Sequence, residues 1–203
     1  MRLGVFGGTF DPVHVGHLVL AEQCREQCEL DQMWFIPSGQ PPHKRQAPLT
    51  MGRMRAEMLE FAIAGHPGFV VSRVELDRAG PGPTYTVETL EQLHEEDAAR
   101  ELFFLMGADS LTDLAGWREP ERIAELATIV AVNRGDRPLP DPAALVHLVG
   151  ERIAGRVQFV TMPGIDLSAS DLRRRAREGR SLRYLVPRPV EIYIHEHRLY
   201  RGD

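Results

Sequence analysis

The sequence predicts an α/β fold, a doubly wound and mostly parallel sheet with helices on both faces. Two observations lead there. Six short apolar runs recur along the 203 residues with stretches of helical period between them, and several of those runs are almost continuously apolar. Strands covered on both faces read that way, whereas half-exposed strands alternate. Such alternation implies right-handed crossovers and a ligand site outside the carboxyl ends of the strands, where the strand order reverses.

The first run, RLGVF (2–6), leads into Gly7-Gly8, and a helix is expected to begin between His14 and Gly16. Cys24 and Cys28 stand four apart on that helix, on one face with Leu20 and Ala21 nearby, and no CxxC or further ligand accompanies them. They read as small core residues. MWFI (33–36) is the second strand, and the Pro-rich PSGQPPHKRQAP (37–48) is a loop. In 51–64, Met51, Met54, Met58, Phe61 and Ala62 are expected on one buried side of a helix. FVVSRV (69–74) is the third strand, followed by a helix whose Val87, Leu90 and Leu93 share a face. LFFLM (102–106), TIVAV (128–132) and VQFV (157–160) complete the set, with RGDRPLPDP (134–142) as a loop. Because the βα alternation continues past each Pro-rich stretch, these are loops rather than linkers. The chain reads as a single domain, 1–203, with a helical portion from about 168.

Composition bounds the function. A content of 43% apolar and 26% charged residues is ordinary for a globular protein, and a net charge of −5 argues against general nucleic-acid binding. No run approaches the roughly 18 apolar residues of a membrane span, and MRLGVFGG lacks a signal-peptide core, so a cytoplasmic location is expected. Charge is uneven, however. Residues 168–188 carry seven arginines against one aspartate and one glutamate, a pattern open to a solvated face, an RNA patch or a polyphosphate site.

The chemistry concentrates in GGTFDPVHVGHL (7–18). Glycines directly after a strand allow backbone N–H groups to approach a ligand, and the helix start behind them is a phosphate seat. The spacing is neither GxGxxG nor GxxxxGK[ST], which disfavours a dinucleotide dehydrogenase and a P-loop NTPase. His14 and His17, three apart, point the same way at a helix start and suit phosphate oxygens. A capping histidine beside a packed one is the structural alternative, and a metal pair, without a third ligand nearby, is the second. Late in the chain, LSASDLRRR (167–175) offers a second seat, with Ser168 or Ser170 as an N-cap and Arg173 on the first turn.

TFDPVHVGH resembles the HxGH signature of the nucleotidyltransferase superfamily, and LSASDLRRR resembles the ISSTxxR motif of its small adenylyltransferases. PSGQPPHK, GPTYTVETL (82–90), MGADSLTDLAGW (106–117), VNRGD (132–136) and the closing LRYLVPRPVEIYIHEHRLY (182–200) extend the match nearly end to end. They are similar to bacterial nicotinate mononucleotide adenylyltransferases. In VNRGD a glycine stands where that family often has proline.

The resemblance implies a Rossmann-like sheet, ATP and nicotinate mononucleotide as substrates with substrate-bound Mg²⁺, and no dedicated metal cage, nucleic acid or membrane partner. It leaves a homo-oligomer open. It implies His14, His17, Lys44 and Arg173 as catalytic groups. For ATP it implies Gly7, Gly8, Thr9, Phe10, Gly107, Asp109, Arg134, Ser168 and Ser170 besides the histidines and Arg173. For the acceptor it implies Gly8, Lys44, Thr84, Tyr85, Thr86 and Trp117. Residue chemistry alone also allows Lys44 as a solvated lysine, Thr86 and Asp109 as helix caps, and Trp117 as core; His195 and His197 read as surface residues, since a metal would need more ligands. A phosphopantetheine adenylyltransferase, a cytidylyltransferase, a non-catalytic nucleotide sensor and a synthetase fragment are the competing readings.

Overall fold

The computed structural model describes residues 1–40, 49–78, 82–135 and 139–201, with Arg134 described by its backbone alone. Strands β1 (Arg2–Gly8), β2 (Gln32–Pro37), β3 (Phe69–Val71), β4 (Glu101–Gly107), β5 (Ala127–Arg134) and β6 (Val157–Met162) form one parallel sheet in the order β3-β2-β1-β4-β5-β6. The helices are α1 (Val15–Gln27), α2 (Gly52–Ile63), α3 (Thr86–Glu96), α4 (Leu111–Leu114), α5 (Pro120–Leu126), α6 (Pro142–Val149), α7 (Glu151–Ala154), α8 (Ala169–Arg177) and α9 (Arg188–Glu196). None among the described residues is long and apolar enough to cross a membrane.

Strand alternation divides the interior into two cores. On β2, Met33 and Phe35 face one side while Ile36 faces the other; on β4, Phe103 and Leu105 oppose Leu102, Phe104 and Met106. One core is closed by α1, α2, α8 and α9 through Leu20, Cys24, Leu59, Leu172 and Val190. The other is closed by α3 to α7 through Leu90, Leu93, Leu114, Ile123 and Ile153. The near-continuous apolar runs follow from this arrangement, since both faces of the sheet are dry.

Order reverses between β1 and β4, so the carboxyl ends of these neighbours, Gly7-Gly8 and Gly107, mark the switch point. Each of the six expected strands is present, but β3 stops at Val71 and not at residue 74. Ser72 still donates to the Phe35 carbonyl, after which Arg73 turns out to Glu60 and the chain leaves the sheet. The α2 face also differs from expectation. Met51 and Phe61 are exposed, and the buried face holds Arg55, Ala56, Met58, Leu59 and Ile63. The helix packs on the sheet and on α9 together, which turns Phe61 to the rim against Tyr193, 5.8 Å between ring centres. Cys24 and Cys28 are buried free thiols, as expected.

Candidate active site

At the end of β1 the backbone leaves the sheet through Gly7, Gly8 and Thr9, turns at Phe10 with φ 48°, and enters α1 at His14. Tight anchoring holds this loop. Asp11, 1% exposed, accepts the Thr50 amide N–H and the Tyr200 hydroxyl at 2.6 Å. Burial and the adjoining Asp11 carboxylate push the Tyr200 hydroxyl far above its ordinary pKa, so it stays a donor. The Arg55 guanidinium, 2% exposed, donates to the carbonyls of Thr50, Thr9 and Ser38. It therefore ties the β1 loop to the β2 loop.

His14 is the N-cap of α1 and is 6% exposed. Its ring stacks on His17 at 3.6 Å between centres, and its amide N–H donates to His17 Nδ1 at 3.2 Å. An Nδ1 that accepts carries no proton, so the neutral His17 ring holds its proton on Nε2. The Phe10 and His17 rings meet in a T-shaped contact, 5.1 Å between centres.

Across from the imidazoles stands the start of α8. Ser168 is its N-cap and accepts the Asp171 amide N–H at 3.1 Å. Arg173 donates to Ser170 Oγ and, at 2.7 Å, to the Asp11 carbonyl. Thr9, His14, His17, Ser168, Ser170 and Arg173 line one cavity of about 280 Å³. The early and late clusters thus converge, although 162 residues separate Asp11 from Arg173.

A second cavity, about 240 Å³, opens on the other side of the β1 end. Its walls include Gly7, Gly8, Ser38, Thr84, Tyr85, Thr86, Phe104 and Trp117. Tyr85 is the N-cap of α3 and Thr86 its first residue, so Thr86 offers a helix-start N–H and is not itself the cap. Trp117 approaches Phe104 edge-on at 6.0 Å and leaves the cavity walled by an aromatic face. Arg118 lies over the Tyr85 ring at 4.7 Å and pairs with Glu88. Thr84 spends its hydroxyl proton on Glu75, which also accepts from Thr89 and from the Gly39 amide.

Other expected residues lie elsewhere. The Phe10 ring is buried in the core at 1% exposure, so what it offers a ligand is backbone only. Asp109 is exposed in a 3₁₀ turn after Gly107, where a Cβ on Gly107 would collide with its Oδ1. Gly135 has φ 68°, a conformation closed to proline, which explains the glycine at that turn. Lys44 lies outside the described residues, as does the Arg134 side chain. His195 and His197 are exposed on α9 and just beyond it.

Sequence reading missed Asp11, Arg55, Glu75 and Tyr200. A signal existed for one of them, since an arginine four after Met51 and three before Met58 sits within an apolar face and needs a buried partner.

Comparison with known proteins bears on the whole chain. The family model described as cytidylyltransferase-like matches residues 5–175. A Thermomicrobium roseum protein named "Probable nicotinate-nucleotide adenylyltransferase" is 48% identical over 98% of this chain and 92% of its own length. A Thermus thermophilus protein of the same name is 46% identical over 99% of this chain and all of its own. A solved Plasmodium falciparum nicotinic acid mononucleotide adenylyltransferase complexed with NaAD superposes with a TM-score of 0.78 at 16% identity, covering 98% of this chain and 97% of that one. That last likeness speaks for the fold.

Proposed function

Since the chain belongs to the cytidylyltransferase-like family, and within it to the nicotinate-nucleotide adenylyltransferases, we propose that its two adjoining cavities hold ATP and nicotinate mononucleotide on either side of the β1 end. The enzyme transfers the adenylyl group of ATP to nicotinate mononucleotide, giving deamido-NAD and pyrophosphate in NAD biosynthesis. The observation that supports this division most is the convergence of His14 and His17 with Ser168, Ser170 and Arg173 on a single cavity next to an aromatic-walled one. The single domain works as one unit, with α8 and α9 sharing a core with α1 and α2.

An acceptor phosphate oxygen attacks the α-phosphorus of ATP, and the bond to the β-phosphate oxygen breaks. A phosphate monoester has its second pKa near about 6, so the nucleophile is already deprotonated at neutral pH. No base is needed. The barrier is the meeting of anions, where two unit charges about 4 Å apart repel by roughly 4 kcal/mol at an effective dielectric of about 20. Cancelling it falls to His17 Nε2–H, His14, the α1 terminus and Arg173, with Ser168 and Ser170 fixing the β- and γ-phosphates. Gly107, Asp109 and Arg134, at the ends of β4 and β5, take the adenosine side.

Among the described residues no three histidines, cysteines or carboxylates gather to hold a metal. Mg²⁺ therefore suits the site as a substrate-bound ion, held by phosphate oxygens and water, where it would neutralise phosphate charge. In the acceptor cavity, Trp117 stacks on the pyridine ring. The α3 start, at Tyr85 and Thr86, takes its carboxylate, an anion on a helix N-terminus. By family resemblance the acceptor phosphate is assigned to Lys44, the sole lysine of the sequence.

The test is pyrophosphate release from ATP and Mg²⁺ with nicotinate mononucleotide, nicotinamide mononucleotide or phosphopantetheine offered singly. Nicotinate mononucleotide is expected to be consumed at least about tenfold faster than its amide, one charge–dipole interaction of about 1.4 kcal/mol. Preference for phosphopantetheine would overturn the acceptor while sparing the reaction.

A further inference from the structure

A third cavity also borders Ser168, Ser170 and Arg173. It measures about 580 Å³ and takes its remaining walls from Asp166, Asp171, Arg174 and Arg177. Ser168, Ser170 and Arg173 thus line it and the imidazole cavity alike. Ser170, Arg173, Arg174 and Arg177 are spaced by three and four residues along α8, so they share one side of that helix.

The guanidinium groups of this wall differ in how their charge is met. Arg174 is paired with Asp171. Arg173 is held by a carbonyl and a hydroxyl, neither of which neutralises it. The Arg177 guanidinium makes no hydrogen bond or ion pair with the described residues. Three cations against two carboxylates leave the lining positive, and the two cations without a carboxylate partner both face the same space.

Position gives this excess charge a meaning. A triphosphate with its α-phosphorus at the imidazoles and its outer phosphates on Ser168, Ser170 and Arg173 runs out of the first cavity towards this one. When the bond between the α- and β-phosphates breaks, the departing pyrophosphate has its far end directed at Arg177. We propose that the third cavity is an exit seat for magnesium-complexed pyrophosphate, with Arg177 as its chief ligand and Arg174 as the second.

The inference rests on the ATP orientation given above and adds a product-binding role for two arginines beyond the substrate contacts. Guanidinium matches phosphate geometry through paired N–H donors. Arg177 is exposed, so water and salt screen the contact and the product is held loosely enough to leave. Asp166 on the same wall limits the net positive charge, which suits a metal-complexed diphosphate better than the bare anion.

The experiment titrates inorganic pyrophosphate, with excess Mg²⁺, into the whole protein by calorimetry, and measures product inhibition by pyrophosphate against ATP. Arg177→Ala is expected to weaken pyrophosphate about tenfold in both, the loss of one charge-assisted contact. The KM for the acceptor should stay within about twofold, and Arg177→Lys should restore most of the binding. Arg180→Ala, an exposed residue paired with Glu178 and outside this wall, should bind pyrophosphate as the wild type does.

Unchanged pyrophosphate binding in Arg177→Ala overturns the proposal. So does an equal loss in Arg180→Ala, which would mark a diffuse field, and so does an absence of binding to the wild type. Calorimetry without acceptor separates this from the acceptor assignment, because pyrophosphate binding does not depend on which mononucleotide is adenylylated.

Discussion

The His17 ring takes the His14 amide N–H on Nδ1 and so presents Nε2 as its donor. That one bond serves the start of α1 and sets the tautomer that a phosphoryl oxygen needs. His17→Ala is expected to lower turnover by about 10²–10³, the usual cost of losing one preorganised donor. It should reduce stability by only about 1 kcal/mol, the worth of a helix-start bond. Steady-state rates beside a thermal melt check both, and wild-type turnover would refute the assignment. At this scale the sequence was legible wherever the chemistry was local. His14 with His17, and Ser170 with Arg173, are neighbours along the chain. Asp11 and Glu75 were not legible, because their partners lie far off in sequence, as Tyr200 does from Asp11 and Thr89 from Glu75.

Among the elements, α9 reports best on what periodicity can and cannot give. Its Tyr193 hydroxyl donates to Glu57 on α2 at 2.5 Å, and Arg53 pairs with the same carboxylate. The Tyr193 hydroxyl first, then Arg53, holds the Glu57 carboxyl below the usual carboxylate range. Burial, reinforced by Glu57, pushes the Tyr193 hydroxyl up to about 12. Stability from a lowered carboxyl is fully present above the unfolded value and is lost as pH falls through the folded one. Tyr193→Phe should therefore unfold about 1 kcal/mol more easily at pH 7, with the deficit fading as acid protonates Glu57. Urea melts at pH 7 and near pH 3 test this, and a deficit that grows in acid would contradict it. Strands were legible because dry faces force apolar runs. The orientation of α2 was not, since it answers to two neighbours, the sheet and α9, and a single apolar stripe describes only one.

For the molecule as a whole, the decisive joint is Arg55. It holds the loops after β1 and β2 together by donating to Thr9 and Ser38, and it anchors the entry to α2 through Thr50. Arg55→Met is expected to cost about 3–5 kcal/mol, because it leaves three carbonyls and the nearby Asp11 without their cation. It should also raise KM for both substrates together, which separate denaturation and saturation curves would show. A rise for one substrate alone would mean that the loops are set independently. The doubly wound sheet followed from alternation of runs, since few topologies satisfy right-handed crossovers, whereas its switch point between β1 and β4 is set by strand pairing. The loop clasp did not, because it depends on contacts that exist only after folding. One of those contacts carries a biographical consequence. Residues Asp11 and Tyr200 lie 189 positions apart yet share a proton bridge, and polypeptides are made from the amino end. Asp11 is therefore synthesised well before the Tyr200 hydroxyl that fastens it, so the loop bearing His14 lacks that anchor until the later segment has been made.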